Sequence, residues 1–226
     1  MLGLAFDVHG NLGALEAVLA DARSVGVERW VLGGDYALFG SRPAECVALL
    51  RGLDAVVMVR GNGERWTATP SDAPGDPVVQ EAIAACRAAL GDAEVADLAG
   101  LPFEGTVGET RVVHASPVSD VRSFLPEPAP DEGELLAGVH EPRLVFGHTH
   151  LPFVREAGGV TLVNPGSVGM PLDGDTRAAW AVLHDDGRVE HRRVAYDVEE
   201  AAARVRDIGG WGDVVARRIE RAQFAV

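Results

Sequence analysis

One pattern recurs three times in the first sixty residues and constrains the rest of the fold: a short β-rich apolar run that ends in a turn carrying Asp, His or Asn. Residues 2–6 read as a buried strand, and Leu12, Leu15, Val18 and Leu19 recur on one helical face just beyond it. Residues 29–32 form a second strand, 43–50 a helix opening on proline, and 55–59 a third strand. Strands alternating with helices imply crossover connections and hence a parallel sheet. A longer helix is predicted over 78–90, after a loop rich in Pro, Gly and Asp. From Gly105 the character changes. Strands are predicted at 110–113, 144–146, 152–156, 160–163, 178–184 and 189–196, with Gly158-Gly159 and Asp185-Asp186-Gly187 as hairpin turns.

The expected architecture is α/β: a mixed sandwich in which a parallel-rich half and a hairpin-rich half supply two sheets, with helices outside, in a single domain over 1–226. Residues 116–133 carry four prolines and little periodicity, so they are expected to form a surface loop, a candidate lid placed after His114. Residues 197–226 are expected to be a C-terminal helical segment. Within it Trp211, Val214, Val215, Ile219 and Phe224 would be either core or the surface of a homodimer.

The chemistry follows the strands. Asp7-Val8-His9 comes after the first, Gly34-Asp35 after the second and Gly61-Asn62 after the third; His114 ends a fourth, and His148-Thr149-His150 follows a fifth. In α/β proteins ligands sit outside the carboxyl ends of strands, where the turning chain presents side chains without disrupting the ladder. Singly, each piece has an ordinary reading: a turn cap, a surface histidine, and for Gly61-Asn62-Gly63 a simple turn. His148 and His150 are more specific, because residues two apart in extended chain point the same way. The ordered set is more specific still: five strand ends with N/O donors, spaced about 26 residues apart between His9, Asp35 and Asn62. His140, His184 and His191 lack such a setting and are expected to be structural or solvated.

Two aspartates, an asparagine and four histidines suit Mn²⁺, Fe²⁺, Zn²⁺ or Co²⁺ better than Ca²⁺ or a lone Mg²⁺. Seven donors are too many for one tetrahedral ion, and suit two ions sharing a carboxylate, about 3.5–4 Å apart, as in phosphoryl-transfer clamps. Composition removes the competing chemistries. The chain has no lysine, all 20 basic residues being arginine, which excludes a Schiff base, a P-loop GK[ST] and a Ser-Lys dyad. A formal charge of −14 with no arginine-rich stripe argues against long nucleic acid. With 47% hydrophobic residues and no long apolar run, the chain buries a core without spanning a bilayer. The start, MLGLAFDVHG, does not read as a signal peptide, and Cys46 and Cys86 are isolated, so a cytoplasmic protein with two reduced thiols is expected.

The order Asp7-x-His9, Gly34-Asp35, Gly61-Asn62, His114, Gly147-His148-x-His150 resembles the calcineurin-like metallophosphoesterase family. Asp7-Val8-His9-Gly10-Asn11 and Asn164-Pro165-Gly166-Ser167 are similar to its small single-domain bacterial and archaeal phosphodiesterase branch. The resemblance implies a four-layer α/β/β/α sandwich of two mixed sheets flanked by helices. It implies one metal on Asp7, His9 and His150, another on Asn62, His114 and His148, and Asp35 bridging, with Asp35, Asn62 and His114 catalytic. Manganese leads the metals it admits, with Fe, Zn, Co, Ni or Mg behind. The implied reaction is hydrolysis of a small phosphodiester or nucleotide-like substrate by a hydroxide held between two divalent metals. A phosphomonoesterase or nucleotidase on the same site, and a metal-binding scaffold without activity, are the alternatives. Many members of the family carry His after the Gly-Asn of the third motif, where this chain has Gly63. Arg65 is expected to reach the phosphate in its place, and Asn11 to help position substrate.

Overall fold

Local sequence sets the first three strands and their helices. The computed structural model describes residues 1–224; Ala225 and Val226, the end of the expected 197–226 segment, lie outside the described residues. β1 (Leu2–Ala5), α1 (Leu12–Ser24), β2 (Arg29–Leu32), α2 (Pro43–Arg51) and β3 (Asp54–Met58) follow in order. Asn11 caps α1 by accepting from the Ala14 amide at 3.2 Å, and the helix turns Ala14, Leu15, Val18 and Ala22 inward. Pro43 stands in the first turn of α2, where its missing N–H costs nothing. The three strands pair in parallel, with Leu4 opposite Val31 and Val31 opposite Val57.

The third motif is not a simple turn. Asn62 opens α3 (Asn62–Ala68), a helix that two glycines near its start hide from any propensity argument. α4 (Pro77–Ala99) passes the expected end at Leu90, but Gly91 leaves helical geometry there (φ 77°, ψ 160°), so the predicted boundary is a kink.

The sheets do not divide the chain into halves. β4 (Glu104–Val107), β5 (Thr110–Val113), β6 (Arg143–Val145), β7 (Phe153–Ala157) and β8 (Val160–Asn164) form the second sheet in the order β4-β5-β6-β8-β7. β9 (Ala178–Leu183) and β10 (Val189–Val194) return to the first, whose order is β10-β9-β1-β2-β3. β9 is buried along its whole length and reads AAWAVL, without alternation, as suits an interior strand covered on both faces. Both sheets are mixed: β9 meets β1 antiparallel, while β5, β6 and β8 run parallel.

Between the sheets lie Leu4, Phe6, Val31 and Val57 from one side and Val112, Val145 and Val163 from the other. α6 (Val198–Arg206) and α7 (Trp211–Arg221) join α1, α2 and α4 on the outer face of the first sheet; Trp211, Val215 and Ile219 are core there. The outer face of the second sheet is covered by α5 (Glu132–Leu135) and the preceding loop, with Phe124 and Leu135 on Leu144, Phe146 and Leu162. The four layers are therefore two sheets between a thick helical layer and a thin one made largely of loop. Among the described residues, no helix is long and apolar enough to cross a membrane. Cys46 and Cys86 are free and buried.

Candidate metal centre

The carboxyl ends of five strands meet at one edge of the sandwich. Asp7 and His9 follow β1, Asp35 follows β2, Asn62 follows β3, His114 follows β5, and His148 and His150 follow β6. The structure brings all seven together. His9 Nε2 lies 3.1 Å from His150 Nε2, which is 3.6 Å from Asp7 Oδ1. His114 Nε2 lies 3.0 Å from Asn62 Oδ1, 3.5 Å from Asp35 Oδ1 and 4.0 Å from Asp7 Oδ1. The His148 ring stacks edge-on to His114, and its backbone amide donates to Asp7 Oδ2 at 3.0 Å. Asp35 faces His114 with one oxygen and His9 with the other, the latter at 3.8 Å.

The backbone is shaped for this convergence. Among the described residues, seven that are not glycine have positive φ, and five of them are Asp7, His9, Asp35, His148 and His150. Left-handed backbone costs a side-chain-bearing residue about 1–2 kcal/mol, so the surrounding contacts must hold it. Two glycines leave the room: a Cβ on Gly147 would stand 2.5 Å from Asp7 Oδ2, and one on Gly34 2.6 Å from the Gly61 amide. The buried Glu64 ties the loops together, accepting from the amides of Asp35 (2.9 Å), Tyr36 (2.8 Å) and Gly61 (2.7 Å). Asn164 donates to the Gly147 carbonyl and Thr149 Oγ1, and Ser167 donates to the Asp7 carbonyl, so the Asn-Pro-Gly-Ser motif is a brace. Glu64 escaped the sequence reading; its signal was a Glu three residues after Gly61, as in a capping box.

The donors are arranged to receive positive charge. His9, His114 and His150 each present Nδ1 to a backbone carbonyl, of Leu38, Gly33 and Met170 at 2.8, 2.8 and 2.6 Å. A carbonyl only accepts, so each Nδ1 carries a proton and each ring turns Nε2 inward; burial lowers His9 and His150 and favours their neutral rings, while on His114 burial is outweighed by the Asp35 and Asp7 carboxyls, which raise that ring above its ordinary value. The lone pairs of His9 and His150 thus face each other. Asp7 Oδ1 is buried with no hydrogen-bond partner. The Asn62 amide, with its oxygen inward, meets acceptors; turned over, its nitrogen would donate to His148 Nδ1, His114 Nε2 and the Asp120 carbonyl at 2.9, 3.0 and 3.0 Å.

Burial pushes the Asp7 carboxyl up to about 8 and the His148 ring down to about 4. His9 and His150 are likewise lowered by burial. Burial also opposes the charge on Asp35, but the His114 and His9 rings outweigh it and hold that carboxyl below its ordinary value. Acceptors facing acceptors in a dry pocket are what a cation satisfies. Two groups have ligand atoms within 4.8 Å of one another: Asp7, His9 and His150; and Asp7, Asp35 and His114. Asp7 is common to both, and Asp35 stands in the second beside His114.

Above this floor opens a cavity of about 910 Å³. His9, Asp35, Asn62, His148 and His150 line its base; Asp7 and His114 lie beneath. Its walls are apolar, with Phe39, Trp66, Leu125 and Leu172 among them, and the 116–133 loop contributes Val121, Ser123 and Leu125. Val214, Arg218 and Phe224 also line it, so two of the C-terminal apolar residues face this cavity.

Two expected substrate contacts are not here. Arg65 is held bidentately by Asp120, at 2.7 Å from Nε and from Nη2, with Asp72 at 3.4 Å, and it does not line the cavity. Its donors are spent on carboxylates. Asn11 is spent on the α1 cap, the Gly169 carbonyl and Tyr196 Oη, and lines a different cleft, beside Arg42 and Glu200. His184 pairs with Glu190 and His191 with the Asn164 carbonyl, away from the donor cluster.

The chain is similar to known proteins. A protein of Methanocaldococcus jannaschii with no assigned role is 29% identical over 227 residues, 91% of each chain. The crystal structure of a metallophosphoesterase from Sphaerobacter thermophilus superimposes with a TM-score of 0.85 at 29% identity, covering 98% of both chains. A hypothetical protein of Pyrococcus horikoshii gives a TM-score of 0.85 over the full length of both chains at 18% identity, a likeness of fold. A family model described as the calcineurin-like phosphoesterase superfamily domain matches residues 1–188, which hold all seven donors. The chain belongs to the calcineurin-like phosphoesterase superfamily.

Proposed function

We propose that this phosphoesterase is a phosphodiesterase that works with two divalent cations, manganese first among them, on a small phosphodiester. The observation that carries the reading is the inward convergence of ligand atoms: the carboxyls of Asp7 and Asp35 and the Nε2 atoms of His9, His114 and His150. Asp7, His9 and His150 would hold one cation, Asn62, His114 and His148 the other, with Asp35 between them. When bound, the cations supply Lewis acidity, making a water acidic near neutral pH and neutralising charge on phosphoryl oxygens.

The chain's own residues do the rest. The Nδ1–carbonyl hydrogen bonds fix the orientation of each ring and keep Nε2 aimed at the centre. The Gly63 amide donates to Asp35 Oδ1 at 2.7 Å and keeps that carboxylate ionised and oriented. A side chain at position 63 would crowd it, since a Cβ there would stand 2.8 Å from Asp35 Oδ1. No side chain from that position can therefore protonate a leaving group, and esters that leave readily as anions should be preferred. The apolar walls offer a surface for an apolar part of the substrate, while the overall charge of −14 turns away long polyanions. Two unpaired buried thiols suit a reducing compartment, and the reading includes a cytoplasmic location.

The test is hydrolysis of bis-p-nitrophenyl phosphate by purified protein, before chelation, after it, and after Mn²⁺ is restored, with metal content measured at each stage. Activity should vanish and return. Faster turnover of p-nitrophenyl phosphate would make the protein a monoesterase; metal retained without hydrolysis of any ester would make it a scaffold.

A further inference from the structure

Arg218 on α7 is the arginine that lines the cavity. Its Nε donates to the Phe224 carbonyl at 3.2 Å, and its guanidinium lies 4.2 Å over the Phe224 ring. That anchorage leaves both Nη groups without a hydrogen-bond or carboxylate partner among the described residues, whereas Arg65 is consumed by Asp120. Asp76, the acidic residue on the same wall, spends Oδ1 on the Val78 and Val79 amides, capping α4. The guanidinium is half-buried beside Val214 and Phe224, and burial lowers its affinity for a proton. A partly desolvated, pre-oriented fork with free Nη donors is an anion receptor, and apolar surroundings strengthen its grip.

We infer that Arg218 binds the anionic oxygens of the substrate's phosphoryl group, and that the substrate is a phosphodiester bearing a bulky apolar or aromatic group. The bulky group lies against Phe39, Trp66, Leu125 and Leu172. Arg218 would thus hold the oxygens that Arg65, already paired, cannot reach. It lies beyond residues 1–188, so this contact is supplied by the C-terminal helix rather than by the matched domain. The inference rests on the phosphodiesterase reading.

The experiment uses the full chain loaded with Mn²⁺: wild type, Arg218→Ala, Arg218→Lys and, as a charge-matched control, Arg217→Ala. Two quantities are read: kcat/KM for bis-p-nitrophenyl phosphate, and the calorimetric Kd for phenylphosphonate, which has no ester to hydrolyse. Arg218→Ala should weaken both by about tenfold or more, as expected for loss of charge-assisted hydrogen bonds, with Lys intermediate and Arg217→Ala within about twofold of wild type. Methyl p-nitrophenyl phosphate, with the same leaving group but a small second arm, should react about tenfold less efficiently than the bis ester. Wild-type hydrolysis with Arg218→Ala unchanged in both readouts overturns the role of Arg218, and equal rates for the two esters overturn the apolar class. If wild type hydrolyses nothing, the phosphodiesterase reading falls, and phenylphosphonate binding still decides Arg218.

Discussion

The floor and the walls of one cavity are built by opposite rules. Each floor donor follows a strand, five of the seven side chains are held by backbone hydrogen bonds, and five sit on left-handed backbone. The walls come from α3, α4, α7 and the loops between elements, and they are largely apolar and partly exposed: Val121 and Leu125 are 42% and 46% accessible, and Phe224 67%. A rigid floor with a loosely held wall separates chemistry from selection: the floor decides what bond breaks and the wall decides what fits.

The sharpest way to break this division is to remove the carboxylate between the two halves of the floor. Asp35→Asn should cut kcat/KM by about 10³-fold or more, because several kcal/mol of charge stabilisation is lost with it. The loss should fall on kcat. A variant within tenfold of wild type would deny the floor its role.

Glu64→Gln tests whether the floor is held from behind. Glu64 accepts from three loop amides and does not line the cavity above the floor, so the variant should lose about 10–100-fold in metal affinity or activity. A metal titration separates this from simple unfolding: restored activity at high Mn²⁺ marks a positioning role.

On the wall, Leu172→Ala should raise KM for the bis-p-nitrophenyl ester by up to about tenfold and leave kcat within about twofold, since uniform binding is what an apolar wall supplies. A drop confined to kcat would mean that the wall takes part in the chemistry.

The metal-free floor should also betray itself by pH. Asp7 is raised to about 8, so the folded chain holds a proton that the unfolded chain releases near pH 4, and stability is lost as pH rises through that range. His148 is lowered to about 4, which works the other way between pH 4 and 6.5. Above pH 6.5 the Asp7 slope stands alone of the two. The Tm of the metal-free protein should therefore fall from pH 6.5 to 8, and Mn²⁺, which needs ionised Asp7, should raise Tm more at pH 8 than at pH 6. Equal gains at both pH values would contradict the burial of Asp7.

Much of the floor was legible in the sequence because strand ends are legible. Apolar runs announced β1, β2, β3, β5 and β6, and a donor after each could be read without coordinates. The sharing of Asp7 between both ligand groups, and Glu64 behind them, could not be read, because they depend on loops that meet only in space. The opening of α3 at Asn62 was hidden by its glycines, whose propensity points away from helix. The return of β9 to the first sheet is a long-range pairing with no local mark. Arg65 was misplaced for a related reason: its proximity in sequence to Asn62 was visible, while Asp120, which holds it, lies 55 residues away. Arg218 is more remote still, 156 positions after Asn62 in the chain.

The central claim is that the floor holds two cations with Asp35 between them. A crystal structure of the Mn²⁺-loaded protein, with anomalous scattering collected for manganese, tests it most directly. Two peaks about 3.5–4 Å apart are predicted, one within reach of Asp7, His9 and His150, the other of Asn62, His114 and His148, with an Asp35 oxygen on both. A single peak, or two peaks neither of which touches Asp35, would contradict it.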